Sequence, residues 1–311
     1  MSLADTTAAS MRPSGALGRG RGNGPDPGRQ EEEDPRRGGR RIGGRILAYT
    51  ALGLLAVIAL VPFIWMLSSS VKTNETIFSN PWQVIPPHPQ WSNYSKLWHE
   101  LPIGRWIFNS AYIVVIAVLG RVVLTAMAAY AFARLRFPGR DYIFYGFLTA
   151  LMIPTEVTLI PGFVLIRQLG WYDSHLALII PQISDAFAVF LLRQFFLSIP
   201  KELEEAARID GASYARVFWS VILPLSKSAL AVVAVLGFMD VWNAFLWPLV
   251  MIDATEKFTL PVGLQFLNSA HSTDWTALMA GNVIGLIPVV VVYLLAQKYF
   301  VEGITMSGLK G

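Results

Sequence analysis

The sequence predicts an all-α integral membrane protein, with six transmembrane helices and a short polar helix between the fourth and the fifth. Three observations carry that expectation. Hydrophobic residues make up 54% of the chain and charged residues 15%, with a mean hydropathy of +0.48; a soluble domain carries about 25% charged residues. Six stretches have the length, about 20 apolar residues, that a helix needs to cross roughly 30 Å of hydrocarbon. Lysine and arginine concentrate in alternate connections, as the positive-inside rule requires.

The first 44 residues read as a disordered basic tail. Residues 1–45 hold nine arginines against six acids, and the glycine and proline content leaves too little apolar surface to bury. The Gly-Arg alternation from Gly18 to Gly22 is a pattern that can bind RNA, but a basic lead-in to a membrane span accounts for it, so no nucleic-acid partner is expected. The tail is too long and too poor in apolar residues to open an ordinary cleaved signal peptide. The first span, near Ile46–Leu67, is therefore read as an uncleaved signal-anchor.

The loop 68–106 carries Trp82, Trp91, Trp98 and Trp106. Tryptophan stacks on sugar faces, but its usual place here is the membrane interface, and anchoring is the reading adopted. The loop also offers a face for an external protein. The second span, Ile107–Ala133, ends on Arg134, Arg136 and Arg140. The third, Tyr142–Ile166, contains Pro154 and Pro161, and the fourth is His175–Leu197. The fifth apolar stretch, Val217–Val250, is too long for one simple span. Pro224 marks a break between a surface helix and the span proper. The sixth is Ala277–Phe300. With the N-terminus inside, the inner segments hold 19 basic residues and the outer ones five, or ten against five without the tail. Both termini and the segment 198–216 are thus expected in the cytoplasm of a cell whose plasma membrane the chain crosses.

That segment is a polar island. Pro200 suits a first helical turn, and Glu202, Glu204 and Glu205 place negative charge at the helix's positive end. Arg208 stands at i+4 from Glu204 and i+3 from Glu205, spacings that pair on a helix. Leu203, Ala206 and Ala207 make a narrow apolar stripe open to close approach. Gly211 can take positive φ and stop the helix, and Ser213 can cap the next one, which climbs back through Ile222-Leu-Pro-Leu225. Taken alone, this is either a docking helix or an amphipathic connector.

Charge inside hydrocarbon is costly, so polar residues there need partners or water. Asn109, Arg121, Glu156, Gln182, Asp185, Asp240, Asn243 and Asn282 fall in the spans, with Pro154, Pro161, Pro181, Pro248 and Pro288 in or near them. Asn, Gln and carboxylates with aromatic walls suit neutral, hydroxyl-rich solutes. Glu156, Asp185, Asp240 and Asn243 are the candidates for a substrate pathway; interhelix hydrogen bonds and structural ion pairs, such as Arg121 with Asp185, explain the same residues. The chain has no cysteine, which excludes disulfides, thiolate metal sites and cysteine nucleophiles. His88, His99, His175 and His271 are too far apart to pair as ligands at helical spacing, so no metal site and no enzyme activity are expected.

The set Glu205-Ala-Ala, Gly211 and Ile222-Leu-Pro224 resembles the EAA loop of ABC-importer permeases. The string Ile199-Pro-Lys-Glu-Leu-Glu-Glu-Ala-Ala-Arg-Ile-Asp-Gly-Ala-Ser213 is similar to the carbohydrate-importer branch. So are Ala129-Tyr-Ala-Phe-Ala-Arg-Leu-Arg-Phe137, Asp240-Val-Trp-Asn243 and the ending from Tyr299 to Gly311. The resemblance spans residues 45–311 and implies a permease domain there. It makes the island a coupling helix that docks in a cleft of a cytoplasmic ATPase. Glu205 and Asp210 would make polar contacts, Ala206 and Ala207 would permit close packing, Gly211 would set the turn, and Pro224 would close the motif. It also implies a second homologous permease, two ATP-binding subunits, an extracytoplasmic solute-binding protein and a sugar cargo. The chain has no G-x-x-x-x-G-K-[ST] phosphate loop, so ATP and Mg belong to the partner ATPase and no cofactor is expected here. Glu302 and Met306 depart from the branch's usual ending. The competing reading is an ion-coupled secondary transporter that uses the intramembrane carboxylates.

Overall fold

The computed structural model describes residues 35–265, 267 and 273–308, with side chains for residues 45–299 among these. The structure is helical throughout, without a β-strand among the described residues. Most of the expected tail lies outside them, as does His271; the side chains of Glu302 and Met306 are likewise not described. The tail's expected end at residue 44 falls inside a helix, because α1 runs unbroken over Pro35–Ser70.

The described residues divide into two compact units, one up to Ile58 and one from Ala59 on. The first supplies the leading part of α1, whose apolar side chains from Ile46 to Ile58 are exposed. In the second unit α2 (Asn74–Ser79) and α3 (Ser92–Glu100) lead into α4 (Ile103–Arg134). At 1.5 Å per residue α4 is about 48 Å long. It is the axis of the unit, packed along α8 and α12. Ala126, Ala129 and Ala133 line one face of it and are buried; small residues let neighbouring backbones come close in a membrane. One apolar cluster gathers round Trp106 and Ile113 near the start of α4, and a second round Ala129 and Tyr130 near its end.

Among the described residues, four helices are long and apolar enough to cross a membrane, and two bent pairs bring the number to six if each pair is one span. The expected third span is such a pair: α5 (Arg140–Thr149), a tight turn over Ala150–Met152, then α6 (Thr155–Gln168), bent by 103°. Pro154 holds Ile153 extended and stops the ladder. The fourth comprises α7 (Leu176–Ile179), a tight turn over Ile180–Ile183, and α8 (Ala186–Ser198). The polar island folds as α9 (Glu202–Ile209). The fifth begins with α10 (Tyr214–Val217), a wide π-helical turn over Phe218–Ile222 and α11 (Leu223–Leu225). It then bends by 80° into α12 (Lys227–Trp242). Pro224 lacks an amide and opens the ladder; the bend follows at Ser226, whose buried hydroxyl donates to the Ile222 carbonyl at 2.7 Å. The span expected to reach Val250 ends at Trp242, because Asn243 to Phe245 interrupt it before α13 (Leu246–Met251). A turn over Thr255–Lys257 leads to α14 (Leu260–Gln265), and α15 (Trp275–Gly308) closes the fold.

Trp82, Trp91 and Trp98 are exposed, as surface anchors should be, but Trp106 is 1% exposed. It lies in the first turn of α4, where its indole N–H donates to the Thr255 carbonyl at 2.8 Å. A methyl group on Gly263 would fall 2.2 Å from its ring, so glycine is what allows the ring to seat. Asn109 finishes the attachment by donating to the carbonyls of Glu256 and Phe258, both at 2.9 Å. It is a strut for this end of the fold.

The same end is fastened by Asp173. Its carboxylate accepts from the Asp253 and Ala254 amides and pairs with Lys257 at 2.6 Å. Partial burial acts to raise its pKa, but the Ala254 amide, Lys257 and the Asp253 amide together outweigh it and hold the carboxyl down at about 2. A depressed carboxyl stabilises the fold above its unfolded value, 3.8, and that contribution is lost as pH falls through about 2. Asp173→Asn is therefore expected to cost roughly 1–2 kcal/mol at neutral pH, allowing for partial exposure. In thermal unfolding of the detergent-solubilised protein, the gap between wild type and variant should hold down to pH 4 and close toward pH 2. A gap independent of pH would contradict this assignment.

Candidate functional site

Two places carry the polar residues singled out by the sequence. The first is α9. Pro200 sits just outside it, not in its first turn, because Lys201 takes the cap position. Gly211 ends it with φ +83°. No atom lies within 4 Å of where a Cβ would stand, so the backbone angle alone favours glycine there. Ser213 caps α10 through the Arg216 amide.

The two faces of α9 differ. Glu202, Leu203, Glu205, Ala206, Ile209 and Asp210 are exposed, with Ile209 at 86%. Ala207 turns inward with Ala212 against the second apolar cluster. Ala206 and Ala207, about 100° apart around the helix, thus differ: Ala206 is exposed and Ala207 half-buried. The expected pairing of Arg208 with Glu204 or Glu205 is replaced by two other contacts. Glu204 meets Arg134 at the end of α4, 2.8 Å away. Arg208 donates to the Tyr214 hydroxyl and lies over its ring. The buried guanidinium of Arg134 has the greater need of a counter-charge. It also donates to the Phe196 and Ile199 carbonyls at the C-terminal end of α8, both at 2.5 Å. One side chain thereby ties α4, α8 and α9. Burial pushes the Glu204 carboxyl above the usual carboxylate range, with Arg134 and Lys201 acting against the rise and Glu205 adding to it. The pair fixes position more than it adds stability.

The second place is a cavity of about 870 Å³. All four pathway candidates, Glu156, Asp185, Asp240 and Asn243, line it together with Arg121 and Gln182. It lies where the helices are interrupted: at the α5–α6 break, before α8, and after α12. Backbone that leaves the helix at membrane depth is tolerated where it lines a cavity. Arg121 stands about 27 Å along α4, near its middle.

Arg121 is the hub. Its Nε donates to the Gln182 carbonyl at 2.7 Å. One terminal nitrogen reaches Asp185 at 3.2 Å; the other donates to the Gln182 side chain at 2.8 Å and to Asp240 at 2.9 Å. The Arg121–Asp185 pair foreseen in the sequence forms, and Asp240 joins it. The other oxygen of Asp185 accepts from the Phe187 and Ala188 amides and caps α8. Asn243 donates to the Met239 carbonyl and finishes α12. Glu156, in the first turn of α6, is exposed to the cavity and has no hydrogen bond or ion pair among the described residues. Trp247 walls the far side. Sequence reasoning missed its role, and it missed the clamp by Arg134, which in a string of basic residues reads only as topological charge.

Residues 121–306 match the family described as "binding-protein-dependent transport system inner membrane component". The chain is 35% identical over 275 residues to the sn-glycerol-3-phosphate transport system permease protein UgpE of Yersinia enterocolitica, covering 86% of this chain and 98% of that one. It is 35% identical over 260 residues to the arabinooligosaccharides transport system permease protein AraQ of Halalkalibacterium halodurans, covering 83% and 93%. A chain of the crystal structure of a bacterial ABC transporter involved in import of the acidic polysaccharide alginate superposes with a TM-score of 0.74 at 30% identity, over 84% of this chain and 97% of that one. With its broken helices, polar cavity and braced polar helix accounted for by one ancestry, the chain belongs to the binding-protein-dependent transport system inner membrane components, the permeases of ABC importers.

Proposed function

We propose that this chain is one of two permease subunits of an ATP-driven importer, and that it carries a sugar or sugar-like solute across a bacterial plasma membrane by alternating access. The observation that supports this most is α9: a helix stopped by Gly211, braced from behind by Arg134, with Glu205, Ala206, Ile209 and Asp210 turned outward. An isoleucine left exposed on so short a polar helix fits a cleft on another protein. That protein is a separate ATPase, present as two subunits that bind ATP and Mg. A solute-binding protein delivers cargo at the other end of α4, where the loop 68–106 begins its approach. Both termini lie in the cytoplasm with α9, the side that the basic residues favour.

Cargo passes the cavity, where Glu156, Asp240 and Asn243 meet it and Asp185 acts chiefly through Arg121. Closure of the ATPases moves α9, and the two permeases exchange inward- and outward-facing forms. The ion-coupled alternative needs free carboxylates, and Arg121 occupies two of the three.

Co-purification tests the reading. An affinity-tagged chain is expected to bring an ATPase and a second permease with it. Gly211→Asp forces an L side chain to φ +83°, which costs about 1–2 kcal/mol. It should leave ATP hydrolysis in the assembled complex while uptake falls at least tenfold. Absence of both partners, or full uptake by that variant, would sink the proposal.

A further inference from the structure

We infer that the cavity excludes anions, so that the cargo is an uncharged polyhydroxyl solute and not a phosphate ester or a carboxylic acid. The inference rests on the reading that cargo passes this cavity. It separates this chain from relatives whose name specifies glycerol phosphate and from the transporter of an acidic polysaccharide.

Charge is the first ground. The charged residues that line the cavity are Arg121, Glu156, Asp185 and Asp240, one cation against three carboxylates. The cation is not available to cargo. The Arg121 side chain is only 4% exposed, and four hydrogen bonds engage its three nitrogens, two of them to the carboxylates. An arginine in this state has no fork to offer a phosphate.

Helix ends are the second ground. A broken helix whose N-terminus faces a transport cavity is a common way to hold an anionic group. Two N-termini face this cavity, those of α6 and α8. A carboxylate of the chain stands at each, bonded to the helix amides at α8 alone. Asp185 accepts from the Phe187 and Ala188 amides that an anion would use, and Glu156 occupies the first turn of α6. An incoming anion would meet acceptors where it needs donors. A hydroxyl group meets what it can use: the exposed carboxylates of Glu156 and Asp240 accept from it, and apolar walls such as Trp247 cover the rest of a sugar ring.

The absence of cysteine makes the potential in the cavity measurable. Thr158→Cys places one thiol on its wall. In the purified importer complex, with the unsubstituted complex as blank, its rates with a cationic and an anionic methanethiosulfonate are compared with those of 2-mercaptoethanol. The cationic-to-anionic ratio is expected to exceed that of the free thiol at least tenfold, and to fall severalfold when Glu156→Gln and Asp240→Asn are added. A ratio equal to or below that of the free thiol overturns the inference, whether the excess positive charge comes from this chain or from its partner. ATP-driven uptake of sn-glycerol 3-phosphate by the unsubstituted importer overturns it as well, while leaving the importer reading intact. Failure of the chain to recruit an ATPase removes the importer reading instead, and the thiol ratio is still read on the isolated chain.

Discussion

Arg121→Ala should be the most damaging single substitution in the membrane part of this chain, with a loss of about 3 kcal/mol. The guanidinium joins α4 to the residues before α8 and to α12, and its removal leaves carboxylates facing one another across the cavity. The exposed Asp240 can be hydrated, so most of the cost falls on Asp185 and on the Gln182 carbonyl. The measurement is a double-mutant cycle on unfolding midpoints in detergent. Arg121→Ala should cost clearly less in an Asp185→Asn background, since the amide there carries no charge that needs a partner. Arg121→Lys should recover only part of the loss, because an ammonium does not reproduce a fork bonded to four acceptors. Equal costs in both backgrounds would show that the hub is not electrostatic.

Arg134→Ala should have the largest effect on coupling. It leaves the Glu204 carboxylate, already raised by burial, without its cation, and it strips the donor from the Phe196 and Ile199 carbonyls. Loss of a buried partner of this kind costs about 3 kcal/mol, concentrated at the seat of α9. The assembled complex should still hydrolyse ATP, with uptake reduced at least tenfold. Glu204→Gln should be damaging too, since it leaves a buried guanidinium without its counter-charge, but less so, because Arg134 keeps its two carbonyls. Normal coupled uptake by Arg134→Ala, or equal damage from both variants, would remove Arg134 from the transmission path.

Much of this was legible in the sequence, for reasons that differ by level. Span positions follow from apolar length, which the bilayer imposes, so Ile107–Ala133 and Ala277–Phe300 fall inside α4 and α15. The turn at Gly211 and the cap at Ser213 are local properties, and local chemistry predicts them. The gathering of Glu156, Asp185, Asp240 and Asn243 was foreseen only as a set of costly polar residues. That they share one cavity depends on three helix breaks being brought together by the packing of α4 with α8 and α12, which no local pattern shows. Arg208 and Trp106 were misread for the same reason. Spacing along a helix offers Arg208 the glutamates, but Arg134, 70 residues earlier in the chain, takes Glu204. Tryptophan near a membrane surface reads as an anchor until a glycine across the fold makes room for its ring.

Helix α4 carries three of these residues on one rod: Trp106 seated in the core, Arg121 in the cavity and Arg134 on α9. It is therefore a lever. From Trp106 the arms are about 22 Å to Arg121 and about 42 Å to Arg134, at 1.5 Å per residue. Pivoted at the tryptophan, a sideways shift of about 5 Å at α9, the size of one helical turn, carries Arg121 about 3 Å. That is as long as the bonds it makes to Asp185 and Asp240. A displacement of that size at the surface is matched to the length of both ion pairs, so the seat of α9 and the hub in the cavity are geared by one rod.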